Sequence, residues 1–133
     1  MATVKKFEDL TVWQLSRVLY QKLEQIIQKN KQKIEYALIN QIERSAGSVM
    51  DNIAEGFERG SRREFIQFLG YAKGSCGEVR SQSYRLLDKK IITTEEFQFI
   101  QNHCNHTSSL LSRLMTKLQQ STIPGSRHKQ KPV

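Results

Sequence analysis

Phe57-Glu58-Arg59-Gly60-Ser61-Arg62-Arg63-Glu64-Phe65 is the stretch that decides the fold, because it holds a helix stop followed at once by a helix start. Glycine enters left-handed backbone at least cost, so Gly60 is placed to end a helix. Ser61 stands three residues before Glu64, the spacing at which a hydroxyl and a carboxylate satisfy each other's orphan amides at a helix N-terminus. Apolar residues recur at steps of three and four on both sides. Leu38, Ile42, Ala46, Val49, Ile53 and Phe57 come before the link. Phe65, Phe68, Leu69, Ala72, Cys76, Val79, Ser83, Leu86 and Leu87 come after it. The spacing predicts helices over about 35–59 and 62–89, and so short a link forces them antiparallel.

The same signals extend outward. Thr93-Thr94-Glu95-Glu96 starts a fourth helix over about 94–120, and Phe97, Ile100, Cys104, Thr107, Leu111, Leu114 and Leu118 follow as a bundle seam. Toward the N-terminus, Thr11-x-x-Gln14 reads as a third capping box. Leu15, Leu19, Leu23, Ile26 and Ile27 mark a first helix over about 11–28, preceded by an arm over residues 1–8. The all-polar run from Gln28 to Lys33 reads as the first connection. The two prolines, Pro124 and Pro132, fall in the last ten residues, so none interrupts these helices. The expected architecture is all-α, an antiparallel up-down four-helix bundle over residues 1–121. A basic tail over 122–133, with Arg127, Lys129 and Lys131 and no acid, is expected to be disordered.

The 133 residues carry 21 Lys+Arg against 13 Asp+Glu, a net charge of +8. Such a surface attracts polyanions. In an up-down bundle the first and third links share one end, which gathers Lys29, Lys31, Lys33, Lys89 and Lys90 there. Arg59, Arg62 and Arg63 sit at the other end. Binding a nucleic-acid backbone needs no more than such clusters, and a ring of subunits multiplies them into a belt. Two cysteines, Cys76 and Cys104, make no disulfide framework. With no signal-peptide pattern and no apolar run near 18 residues, a cytoplasmic protein without a membrane anchor is expected.

Beside the apolar stripes run polar ones: Gln41, Ser45, Ser48, Asn52, Glu55 and Arg59 on the second helix, and Tyr71, Ser75, Glu78, Gln82, Arg85 and Lys89 on the third. Gly47, Gly56, Gly70, Gly74 and Gly77 are interleaved, and five helix-interior glycines suggest close backbone approach. Gln41, Arg44, Ser48, Asn52, Glu55, Ser75 and Glu78 are therefore read as a buried polar network or a subunit interface. Glu55 and Glu78 as an acid/base pair lack a nucleophile or metal set, and ion-pair partners of Arg44, Arg59 or Arg85 are the simpler reading. His103, Cys104 and His106 lack the further ligands of a metal site, and Cys104 falls in the core seam. No catalytic residue, metal or cofactor is expected, and the chain is not read as an enzyme.

Gln41-Ile42-Glu43-Arg44-Ser45-Ala46, then Ser48-Val49 and Asn52-Ile53-Ala54-Glu55-Gly56-Phe57-x-Arg59, together resemble the heart of the four-helix-bundle family of the 23S ribosomal RNA intervening-sequence protein. Glu64-Phe65-x-x-Phe68-Leu69, Ala72-x-Gly74-Ser75, Glu78 and an N-terminal Phe7-x-x-Leu10-x-Val12-Trp13-Gln14 continue the match over roughly residues 7–120. The chain departs from the family in two places: a Lys/Gln run replaces the usual Phe-Pro turn after the first helix, and Glu43 stands where a second Arg is usual. The resemblance implies an up-down bundle, with ring-like homopentamers in some members. It also extends to accessory proteins of diversity-generating retroelements, which bind a reverse transcriptase and nucleic acid. The expectation is thus a homo-oligomeric scaffold that holds RNA or DNA without sequence specificity. The alternative is an adaptor for a reverse transcriptase.

Overall fold

A computed structural model of the protein describes residues 4–120. The expectations for the C-terminal tail lie outside them. Four helices follow in order: α1 (Thr11–Asn30), α2 (Tyr36–Glu58), α3 (Arg62–Asp88) and α4 (Thr94–Gln119). No strand occurs among the described residues. The helices pack as an up-down bundle in which α2–α3 and α3–α4 are the closest pairs and α1–α4 the loosest.

The caps show which start signals became bonds. Thr93 and Glu96 form the full reciprocal box, each side chain satisfying the other's backbone N–H. Ser61 accepts from the Glu64 N–H at 3.3 Å, but the Glu64 carboxylate turns away to Arg59, so that box is half made. The expected box at Thr11 does not form. Leu10 occupies the N-cap and makes no side-chain cap. Gln14 instead donates to the Glu8 carbonyl, because the preceding residues are not a free arm: Phe7–Asp9 form a 3-10 turn folded back on α1. Phe7 meets Trp13 edge-on at 5.3 Å, and Leu10 and Val12 are buried between helices.

The first connection is also shorter than the polar run suggests. α1 continues to Asn30, whose buried side-chain amide donates to the Ile26 carbonyl one turn back. A 3-10 turn, Lys31–Lys33, completes the link. Gly60 ends α2's hairpin at φ 79°, in the left-handed region. No glycine stands after α3, and there Lys90 takes the left-handed position at φ 62°. The Ile91 N–H reaches the Leu86 carbonyl and the Lys90 N–H reaches Leu87, the pattern of a Schellman stop.

The core lies in two apolar clusters stacked along the bundle. One gathers Leu19, Leu23, Ile26, Leu38, Ile42, Leu86 and Ile100. The other gathers Val49, Ile53, Phe57, Phe65, Leu69 and Leu111. Cys76 and Cys104 are fully buried. Burial raises the Cys76 thiol to about 11. Burial, then the neighbouring Cys76, raises Cys104 to about 12. Both therefore behave as small apolar residues. The expectation of close approach holds at one glycine alone. A Cβ on Gly56 would stand 2.6 Å from Phe68 Cβ and 3.2 Å from the Phe65 ring. Gly47 and Gly70 have ordinary room, and Gly74 and Gly77 have nothing within 4 Å.

Candidate functional site

Two ion pairs tie together the end of the bundle where the first and third links lie. Lys89 Nζ is 3.4 Å from Glu35 Oε1, joining the third link to the first. Lys29 Nζ is 3.0 Å from Glu96 Oε2, joining the end of α1 to the start of α4. Burial works against ionisation at Glu96, but the Thr93 N–H and Lys29 outweigh it and hold that carboxyl below its ordinary value. Lys31, Lys33 and Lys90 are exposed and make no ion pair with described residues. The five lysines thus share one end, two of them in ion pairs and three outside any ion pair with described residues.

The opposite end differs. Arg59 is held by Glu55 at 2.8 Å and Glu64 at 3.2 Å, and it also covers the Phe68 ring at 5.0 Å. Arg63 is exposed and Arg62 half-buried. Here Arg59 clips the α2–α3 turn, so this arginine cluster is less available than the lysines.

The polar stripes of α2 and α3 meet. Ser75 Oγ donates to Ser48 Oγ at 3.0 Å, Gln82 Nε2 to Ser45 Oγ at 2.9 Å, and Arg85 Nη1 to Gln41 Oε1 at 2.9 Å. Asn52 turns back on its own helix, donating to the Ser48 carbonyl and hydroxyl. Ser45 and Ser75 are buried and Ser48 half-buried. Arg44 and Glu78 line the seam but join no hydrogen bond or ion pair with described residues. Glu55 pairs with Arg59 and has no such link to Glu78.

Other candidates resolve into packing. His103 Nε2 lies 2.6 Å from the Leu15 carbonyl, and its ring stacks on Phe99. Among the described residues no group of three or more His, Cys, Asp or Glu is gathered as for a metal. No described helix is long and apolar enough to cross a membrane. An apolar groove of about 740 Å³ opens where α1 and α4 part, lined in part by Leu10, Val12, Leu110 and Leu114 and rimmed by Arg113 and Lys117.

Three features escaped the sequence reading. Gln101, one residue off the α4 stripe, is buried and donates to the Arg80 carbonyl and the Ser83 hydroxyl, a polar pin between α3 and α4. The left-handed Lys90 carries no sequence mark, since glycine is the residue such a stop normally announces itself with. Glu43 on α2 meets Glu24 on α1. A hydrogen bond shared with Glu24, then burial, raises the Glu43 carboxyl, with Lys31 opposing. Two carboxyls share a hydrogen bond only while one keeps its proton; with both ionised, Glu24 Oε1 is left buried without a donor. Burial, then Glu24, Glu43 and Asp51, raises the neighbouring Tyr20. The signal for this pair was the departure at Glu43 itself.

Residues 8–113 match the model of a family described as 23S rRNA-intervening sequence protein. A crystal structure of a protein of unknown function from the S23 ribosomal protein family, from Bacteroides thetaiotaomicron, is similar. Its TM-score is 0.70 at 26% identity, covering 79% of this chain and 98% of that one. No curated protein matches in sequence.

Proposed function

The chain belongs to the 23S rRNA-intervening sequence protein family, and from that premise we propose that it is a non-enzymatic, homo-oligomeric scaffold that holds nucleic acid by its backbone. The observation that carries this reading is the lysine end: Lys29, Lys31, Lys33, Lys89 and Lys90 brought together by two links, with Lys31, Lys33 and Lys90 exposed and outside any ion pair with described residues. The Lys89–Glu35 pair is exposed on both sides, and surface ion pairs yield readily to a polyanion; at the other pair the Lys29 ammonium is exposed while Glu96 is largely buried. Lys90 adds weight. A left-handed non-glycine residue costs on the order of 1 kcal/mol, which a glycine at that stop would avoid. Keeping the cation there is consistent with a use for it. A second copy has a face to meet on α3, where Gly74 and Gly77 are bare and Tyr71 and Tyr84 are each 50% exposed.

Fluorescence anisotropy with a labelled RNA or DNA strand over a salt series tests the reading. Affinity should fall linearly on a log–log plot. Lys31→Gln, Lys33→Gln and Lys90→Gln together should flatten the slope by up to about 0.7–0.9 per lost phosphate contact. Lys90→Gly should bind more weakly while melting higher. Salt-insensitive binding, or none at low salt, rules the reading out; light scattering gives the subunit number.

A further inference from the structure

Between α2 and α3, on the outward side of their hydrogen-bonded seam, lies a polar cleft of about 590 Å³. Arg44, Ser45 and Ser48 line it from α2, and Glu78, Gln82 and Arg85 from α3. It runs along the bundle's side and begins at Arg85, one helical turn from Lys89. The hydrogen-bond accounting inside it does not close. Gln82 commits Nε2 to Ser45 and leaves Oε1 buried with no donor. Arg44 gives none of its donors to a described residue, and Arg85 gives only Nη1, to Gln41. Glu78 accepts from no described residue and pairs with neither arginine, although all three share the cleft. Arg44, Glu78 and Arg85 are exposed in the cleft, so their charged groups stand open to an incoming partner, and the Gln82 amide oxygen is a buried acceptor beside them with no described donor.

The unused groups describe that partner. Two guanidiniums suit a phosphate, whose oxygens accept the fork of N–H donors. A carboxylate beside them suits a group that donates, and an acidic side chain accepting from a ribose hydroxyl is a recurrent means of recognising that sugar. A phosphate flanked by a hydroxyl donor is the repeating unit of RNA; DNA lacks the hydroxyl. We propose that the cleft is a ribose-phosphate subsite in which Arg44 and Arg85 hold a phosphodiester of an RNA strand and Glu78 accepts from the adjacent 2′-hydroxyl. The inference rests on the nucleic-acid reading above and adds a preference to it: the lysine end attracts either polymer, and the cleft selects RNA.

Anisotropy titrations with RNA and DNA strands of one sequence, at a single salt concentration, separate the two layers. Wild-type protein should bind RNA more tightly than DNA. Arg44→Gln should weaken RNA binding about tenfold, the scale of a lost charge-assisted hydrogen bond, and leave DNA binding nearly unchanged. Glu78→Ala should bring the RNA:DNA ratio toward one without weakening DNA. The Lys31, Lys33 and Lys90 triple variant should weaken both polymers alike and preserve the ratio. Neither Arg44 nor Glu78 makes a side-chain hydrogen bond or ion pair with a described residue, so both variants should fold, as helical circular dichroism and melting will show. A wild-type ratio of one overturns the proposal. So does a ratio untouched by Arg44→Gln and Glu78→Ala, while loss of binding in the triple variant keeps the scaffold reading. So does a free ribonucleotide monophosphate that competes as well as the strand. A changed subunit number with an unchanged RNA preference makes the cleft a seat for another copy, which also overturns it. No binding of either polymer removes both readings.

Discussion

The helix α2 has two flanks, and they are built on opposite electrostatic rules. Toward α3 it presents Gln41, Ser45 and Ser48 to Arg85, Gln82 and Ser75, neutral or singly charged groups that pair donor to acceptor. Toward α1 it presents Glu43 to Glu24, with Asp51 and Tyr20 close by, where like groups compete for one proton. The first flank lets two backbones come together, and Gly56 touches Phe68 at its lower end. The second holds a repulsion that neutral pH makes worse. The difference teaches that a polar stripe on a helix has no fixed meaning; its value is set by what the neighbouring helix brings to it.

Breaking the close flank should have the largest effect. Gly56→Ala drives a Cβ into Phe68 and should cost about 2 kcal/mol in urea unfolding, since overpacking at about 1–3 kcal/mol exceeds the gain in helix propensity. Next, Ser75→Ala removes the donor to Ser48 and should cost about 1 kcal/mol. Gly77→Ala is the control for glycines as such. With nothing within 4 Å, the isolated subunit should gain somewhat under 1 kcal/mol; a loss that grows with protein concentration would place that face inside the oligomer.

The smallest effect belongs to the acidic flank. Glu43 has a folded pKa above its unfolded one, so its contribution is full below the unfolded carboxyl pKa and is lost as pH rises through the folded value. Glu43→Gln should therefore raise stability near neutral pH by a few tenths of a kcal/mol, about the worth of one like-charge pair, and erase that part of the pH dependence. Glu96 runs the other way. Its folded pKa is lowered, so its contribution is present above the unfolded pKa and lost as pH falls through the folded one. Thermal melts across the carboxylate range should show the Gln variant with a purely acid-labile profile, and an unchanged profile would count against the Glu24–Glu43 pairing.

Much of the bundle was legible because its signals are local. Gly60 and Ser61, Thr93 and Glu96, and the stripe from Leu38 to Phe57 act within one or two turns, and all are found in those roles. The Thr11 box was misread because Leu10 is buried as the N-cap and Gln14 is drawn off to Glu8, contacts set by the folded-back turn. The site was legible as residue types only. Arg44 and Arg59 look alike in the sequence, yet one stands unpaired in a cleft and the other is clamped by Glu55 and Glu64. Nothing at positions 74 and 77 distinguishes those glycines from Gly56 until Phe68 is seen to face only the last.

By itself the sequence determined four amphipathic helices, the stop at Gly60, the starts at Ser61 and Thr93, and an excess of cations at the links, because periodicity, capping and charge act over a few residues along one chain. Only the tertiary structure decided which polar groups are spent and which are left over. Whether Gln82 meets Ser45, Glu43 meets Glu24, or Arg44 finds no ion-pair partner among the described residues depends on the rotation and rise of one helix against another, which side chains far apart in the sequence settle together.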